Sequence, residues 1–94
     1  RVDDDTRFSA ARDAFLAAVR HHEAGRLEQA EAGYEQARAL LPGRPSTLLN
    51  LAQVQLARGR PEAVAGTLAP LLQAVPPDPE ARTLAARAAE ALYR

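Results

Sequence analysis

The chain has 94 residues, the size of one domain, and its twelve basic and twelve acidic residues cancel to zero net charge. That balance, with no basic block, excludes an electrostatic footprint for nucleic acid and a polybasic surface for a membrane. Without Cys or Lys there are no disulfides, thiolate nucleophiles, Cys-held zinc, Schiff-base lysines or phosphate-loop lysines.

Arg1-Val2-Asp3-Asp4-Asp5 does not read as a signal peptide, and no apolar run approaches the roughly 20 residues of a membrane span. The lack of any Met, including at position 1, predicts a piece excised from a longer protein. The compartment stays open, with a soluble cytoplasmic setting the favoured one.

Acids in Asp3-Asp4-Asp5-Thr6 complement the partial positive charge of a helix start, and Asp5 or Thr6 is the expected cap. Residues 6–24 lack Gly and Pro and place Phe8, Ala11, Phe15, Ala18 and Val19 at helical spacing, which predicts one long helix closed by Gly25. A second helix starts at Leu27 or Glu28, with Leu27, Ala30, Tyr34, Ala37 and Leu41 on its buried side. Glu28, Glu31, Glu35 and Arg38 fall on the other side, where Glu35–Arg38 partly offsets Glu31–Glu35 repulsion.

Pro42-Gly43-Arg44-Pro45 breaks the chain. A third helix over 46–58 has Leu48, Leu49, Leu51, Ala52, Leu56 and Ala57 as its apolar positions, and Gly59-Arg60 closes it. The fourth begins at Pro61, where a missing amide would be unpaired anyway, and runs to about Val75. Pro70 interrupts it and leaves the Gly66 carbonyl without a donor, at a typical cost of about 3 kcal/mol. A bent but continuous helix is expected, with a break into two pieces as the alternative. Asp78 as cap and Pro79 as first helical residue start a fifth helix that reaches the chain end. No segment alternates with period two, so the fold class is all-α: five antiparallel helices joined by short turns.

The stretch Gly25-Arg26-Leu27-Glu28-Gln29-Ala30 recurs 34 residues later as Gly59-Arg60-Pro61-Glu62-Ala63-Val64. The same offset aligns Ala17, Leu51 and Ala85, and Ala18, Ala52 and Ala86; Tyr34 meets Leu68, Ala37 meets Leu71 and Pro42 meets Pro76. Ala11, Pro45 and Pro79 open the three units. Each unit is a helix–turn–helix that buries its face only by stacking on its neighbours.

This pattern resembles the tetratricopeptide repeat (TPR). Ala18, Ala30, Tyr34, Ala37 and Pro42 carry the signature in the first unit, and Leu48, Leu51, Ala52, Leu68 and Pro76 in the second. The resemblance implies a short right-handed α-solenoid: a single domain over 1–94, with repeats 11–44 and 45–78, a capping or truncated helix 79–94, and residues 1–10 extending the first helix. Several positions depart from the family. Ala14 and Leu48 stand at a large position, His21 and Gln55 at an aromatic one, and Val64 at a small one, where looser or shifted packing is expected. Tyr93 stands where Gly25 and Gly59 end their helices.

Catalytic chemistry has no foothold, and no enzyme, cofactor or metal is expected. Ser9 and Ser46 look like helix-start residues, and no glycine-rich elbow presents either. His21-His22 point about 100° apart on a helix with no partner ligand four residues away. The expected roles are a partly buried ring between the first two helices for His21 and a surface or groove position for His22. Asp3-Asp4-Asp5 is read as serving the helix start rather than a cation.

What the resemblance implies instead is a peptide groove lined by the first helix of each pair. Its candidate residues are Arg12, Phe15, Val19 and His22 on the first helix, Leu49, Asn50, Gln53 and Leu56 on the third, and Arg87 on the fifth, with Leu16, Ser46, Thr83 and Leu84 beside them. Asn50 stands where family members that clamp a C-terminal carboxylate carry Asn. Phe15, Val19, Glu80 and Leu84 stand where the rest of that clamp would be, so a tail clamp is not expected. The partner implied is a protein or peptide of unknown identity, with no nucleic acid and no membrane insertion. The alternative is a spacer or self-assembly segment of a larger array or multidomain enzyme, self-associating through the last helix by Leu84, Leu92 and Tyr93.

Overall fold

The computed structural model describes residues 3–94. Helices α1 (Asp4–Glu23), α2 (Leu27–Leu40) and α3 (Pro45–Ala57) are followed by a 3-10 turn, Pro61–Ala63, that leads directly into α4 (Val64–Leu72), and then by α5 (Pro79–Leu92). There is no strand among the described residues. Each helix packs on the next in sequence, and α3 also meets α5. Helices α1, α3 and α5 thus form one row and α2 and α4 the other, in a body of 46 × 33 × 18 Å whose short dimension suits two helix layers.

The two Gly-Arg turns are built alike. Gly25 (φ +79°) donates its amide to the His22 carbonyl at 3.0 Å, and Arg26 donates to His21 at 2.9 Å. Gly59 (φ +73°) and Arg60 repeat the pattern onto Leu56 at 3.0 Å and Gln55 at 2.8 Å. Both are Schellman closures, in which a left-handed residue satisfies the last free carbonyls of a helix. Glycine alone adopts that conformation at no steric cost.

The first cap lies earlier than expected. Asp3, not Asp5 or Thr6, caps α1: its carboxylate accepts from the Thr6 amide at 2.7 Å, and that bond holds its pKa below the ordinary value. Ser9 accordingly lies inside α1, whereas Ser46 does start α3. Asp78 caps α5 as expected, accepting from the Ala81 amide at 2.9 Å.

The fourth helix ends at Leu72 rather than near Val75. Pro70 falls in its last turn, so the helix continues two residues past it and does not split there. The Asp78 amide then ties the loop back to the Leu71 carbonyl at 3.1 Å.

Two apolar clusters form the core. Ala18, Ala30, Tyr34, Leu51 and Val54 join α1, α2 and α3. Leu48, Ala52, Val64, Leu68, Leu71, Ala81, Leu84 and Ala88 join α3, α4 and α5. The largest wholly buried side chains, Tyr34, Leu48, Leu51, Leu68, Val54 and Val64, each contribute about 1.5–3 kcal/mol by leaving water. Val64 is accommodated fully, behind the 3-10 turn that opens its helix. Leu84 is a core residue too, which removes it from both the groove and the exposed end surface.

Glu31 also belongs inside, not on the outer side of α2. It is 4 % exposed and is held by Arg58 Nη1 at 2.7 Å and by Arg60 Nη1, both from the second Gly-Arg turn. Glu35 does pair with Arg38 on the outside.

Helix α1 crosses α2 closely enough that a Cβ on Gly33 would lie 2.8 Å from the Ala18 Cβ. Gly33→Ala is therefore expected to destabilise the chain by about 1–3 kcal/mol through overpacking. Gly66, where a Cβ meets nothing, gives the opposite sign: Gly66→Ala is expected to stabilise by about 0.5–1 kcal/mol by removing a flexible residue from a helix. Urea unfolding of both variants checks the pair.

Candidate functional site

The site is the exposed side of the α1–α3–α5 row. Its geometry starts from Tyr34, which rises from α2 into the seam between the rows and is fully buried. The Phe15 ring lies tilted against it at 5.7 Å between centroids, and His22 meets it edge-on at 5.9 Å. A buried phenol needs a hydrogen-bond partner, and His22 Nδ1 supplies one 3.1 Å from the hydroxyl. Burial pushes the Tyr34 pKa above its ordinary 10.0; the Asn50 side chain, acting on the same hydroxyl, opposes the rise, and the Glu23 carboxylate adds to it.

Of the expected groove residues, His22 of α1 meets the buried Tyr34 hydroxyl directly, and Asn50 of α3 bears on its titration. Both histidines are half-buried: His21 accepts from Arg26 Nε at 2.9 Å at the turn between α1 and α2, and His22, beside the row, also contacts the core tyrosine.

Gln53 donates to the Glu80 carboxylate at 3.1 Å and so bridges α3 and α5. Val19 packs against the first cluster, and Leu49 and Leu56 pack against the second, all of them half-buried. Arg87 stands exposed on α5 without an ion pair among the described residues.

Arg12 and Phe15 come together with Ser46 in a cleft of about 220 Å³ between α1 and the start of α3. Phe8, Arg44 and Thr47 complete its rim, and Ala37 and Leu41 of α2 line it further. Phe8 and Arg44 were not among the expected site residues. Phe8 was legible as an apolar helical position, but Arg44 sits in the inter-helix break and had no signal.

Gln55, at a position where the family has an aromatic residue, is buried and accepts from the Thr67 hydroxyl at 2.9 Å. No helix among the described residues is long and apolar enough to cross a membrane.

Stacked helix pairs closed by like turns 34 residues apart define a helical-repeat protein. The sequence profile of the tetratricopeptide repeat family matches residues 21–88, and the chain belongs to that family. No curated protein and no solved structure matches it. The family's fold is a protein-interaction scaffold, typically without catalytic activity.

The raised Tyr34 pKa has a consequence for stability. Above pH 10.0 an unfolded tyrosine loses its proton while folded Tyr34 keeps it. The stabilising effect is complete below that pH and is lost as pH rises through the folded pKa. Tyr34→Phe is expected to lower stability at neutral pH by about 0.5–1.5 kcal/mol, the worth of its hydrogen bonding. Its stability should fall less steeply than the wild type's above about pH 10, which denaturant titrations from about pH 8 to about pH 11 check.

Proposed function

We propose that the chain holds an extended peptide segment of a partner protein along the α1–α3–α5 row. Arg12, Phe15, Val19 and His22 form the first wall, Leu49, Asn50, Gln53 and Leu56 the second, and Arg87 the far edge. The observation that carries this reading is the open cleft that brings Arg12 and Phe15 of α1 opposite Ser46 of α3. Apolar walls there meet polar amides along α3, the combination that takes side chains on one side of a peptide and its backbone on the other. Gln53 is half-buried and engaged only with the exposed Glu80, so a peptide backbone can exchange for that bond at little cost.

Peptides selected on the full chain from a random display library, with affinities by isothermal titration, provide the test. Phe15→Ala with Asn50→Ala is expected to weaken the selected peptides by more than about tenfold. Gln53→Ala, away from the Tyr34 cluster, serves as a variant whose folding is not in question. Unchanged affinity in both variants, with folding verified by circular dichroism, would sink the groove reading.

A second reading, a segment that associates with further copies or domains through α5, has its own support. Leu92 and Tyr93 are 52 % and 89 % exposed, and Ala86 is exposed where its repeat equivalents Ala18 and Ala52 are fully buried. On this reading Tyr93→Ser with Leu92→Ser abolishes concentration-dependent association in sedimentation velocity. A strictly monomeric wild type would remove self-association.

A further inference from the structure

The cleft between α1 and α3 has more specific chemistry than the rest of the row. Its volume of about 220 Å³ falls below the roughly 300–1,000 Å³ of small-molecule sites, so it suits a single side chain rather than a cofactor. Its rim carries Arg12 on the α1 wall and Arg44 at the start of α3, and no acidic residue lines it. The first turn of α3 holds no acid either.

Arg44 forms no ion pair among the described residues, and its side chain makes no capping bond to α3. Its guanidinium carbon lies 5.4 Å from the centroid of the Phe8 ring. A guanidinium resting on an aromatic face is held in place while its N–H edge stays available. Arg12 is held only by Ser9 at 3.2 Å and by an exposed contact to Asp13 at 3.4 Å.

Phe8 is 46 % exposed. Thr47 is 5 % exposed, lines the cleft, and its hydroxyl makes no hydrogen bond within the described residues. The cleft therefore combines an apolar slot, two cationic side chains on its rim, and a hydroxyl without a hydrogen bond among the described residues.

We propose that this cleft anchors one large apolar side chain, leucine- or phenylalanine-like, that is flanked in its peptide by aspartate or glutamate. The inference rests on the groove reading and assigns the partner's chemistry within it. The apolar residue enters between Phe8 and Phe15, and the flanking carboxylates accept from Arg12 and Arg44. Two separate cations on the rim favour more than one acid beside the apolar residue, whereas a chain-terminal carboxylate supplies a single one.

The test uses internal heptapeptides displayed at random and selected on the full chain. The expected result is enrichment of a large apolar residue with Asp or Glu within two positions on one or both sides. Changing those acids to amides, or Arg44→Gln in the protein, should weaken the best peptide by about tenfold or more in fluorescence anisotropy, the effect of one charge-assisted hydrogen bond. Arg44→Gln removes no side-chain hydrogen bond among the described residues, so its circular dichroism should match the wild type. A second selection on Arg12→Glu with Arg44→Glu should replace the flanking acids with Lys or Arg.

Selected peptides that lack flanking acids, that ignore Arg44→Gln, or that need only a free C-terminal carboxylate would each overturn the proposal. Peptides that ignore Arg44→Gln yet weaken with Gln53→Ala would leave the groove reading standing without this assignment. The failure of every peptide to bind would remove both.

Discussion

A pair of short helices cannot bury its apolar face alone, and the fold depends on the seam where α2 meets α3. Tyr34 stands at its centre. Its ring joins Ala18 and Ala30 behind to Leu51 and Val54 ahead, so one side chain ties three helices together. The hydroxyl is the difficulty, because a buried phenol without a partner costs about 1–3 kcal/mol. His22 answers it from α1. One polar side chain of the row, His22, is thus anchored by the core beneath it, and any ligand that draws on it also acts on the hydrogen bonding of Tyr34.

A second polar device guards the same seam. Glu31 is buried in α2 and receives Arg58 and Arg60 from the turn after α3. Such an arrangement is weak evidence for stability, since desolvating the carboxylate offsets most of the attraction. It does select one placement. Sliding α3 along α2 by a turn would leave Glu31 buried without a partner, a far costlier state than a mismatched apolar contact. The arginines keep side-chain exposures of 30 % and 43 %, so they reach the carboxylate while still partly hydrated. Gln55 and Thr67 play the corresponding part between α3 and α4, which is how the chain tolerates an amide where its family has an aromatic ring.

The helices and turns were legible because they are set by local chemistry. Gly25 and Gly59 take positive φ, Pro45 and Pro79 open helices, and Asp78 caps one. Where several local solutions are equivalent, sequence alone could not choose. Asp3, Asp4 and Asp5 are chemically alike, and the cap is whichever carboxylate reaches the third amide onward. Glu31 was misplaced because a charged residue in a helical pattern reads as solvent-facing. Its partners lie 27 and 29 residues away, beyond any periodicity. The groove residues came from a family resemblance, which names positions and not their occupancy. The structure shows Gln53 engaged with Glu80 and His22 with Tyr34. The slot at Phe8 and Arg44 depends on the spacing between α1 and α3, which no single helix encodes.

That spacing gives the row a direction. Helix α5 presents Ala81, Leu84 and Ala88 to the second cluster, and these modest side chains let it lie against α3, where Gln53 and Glu80 close the joint. Helix α1 packs on α2 instead, with Phe15 laid over Tyr34, and leaves a gap to α3. At the α5 end, a ligand must break an existing hydrogen bond before it forms its own. At the α1 end it meets exposed aromatic surface and cations that are solvated rather than engaged in the core. On the proposed groove reading, the net gain is larger where less is already made, so engagement should begin at the parted end and run toward the closed one.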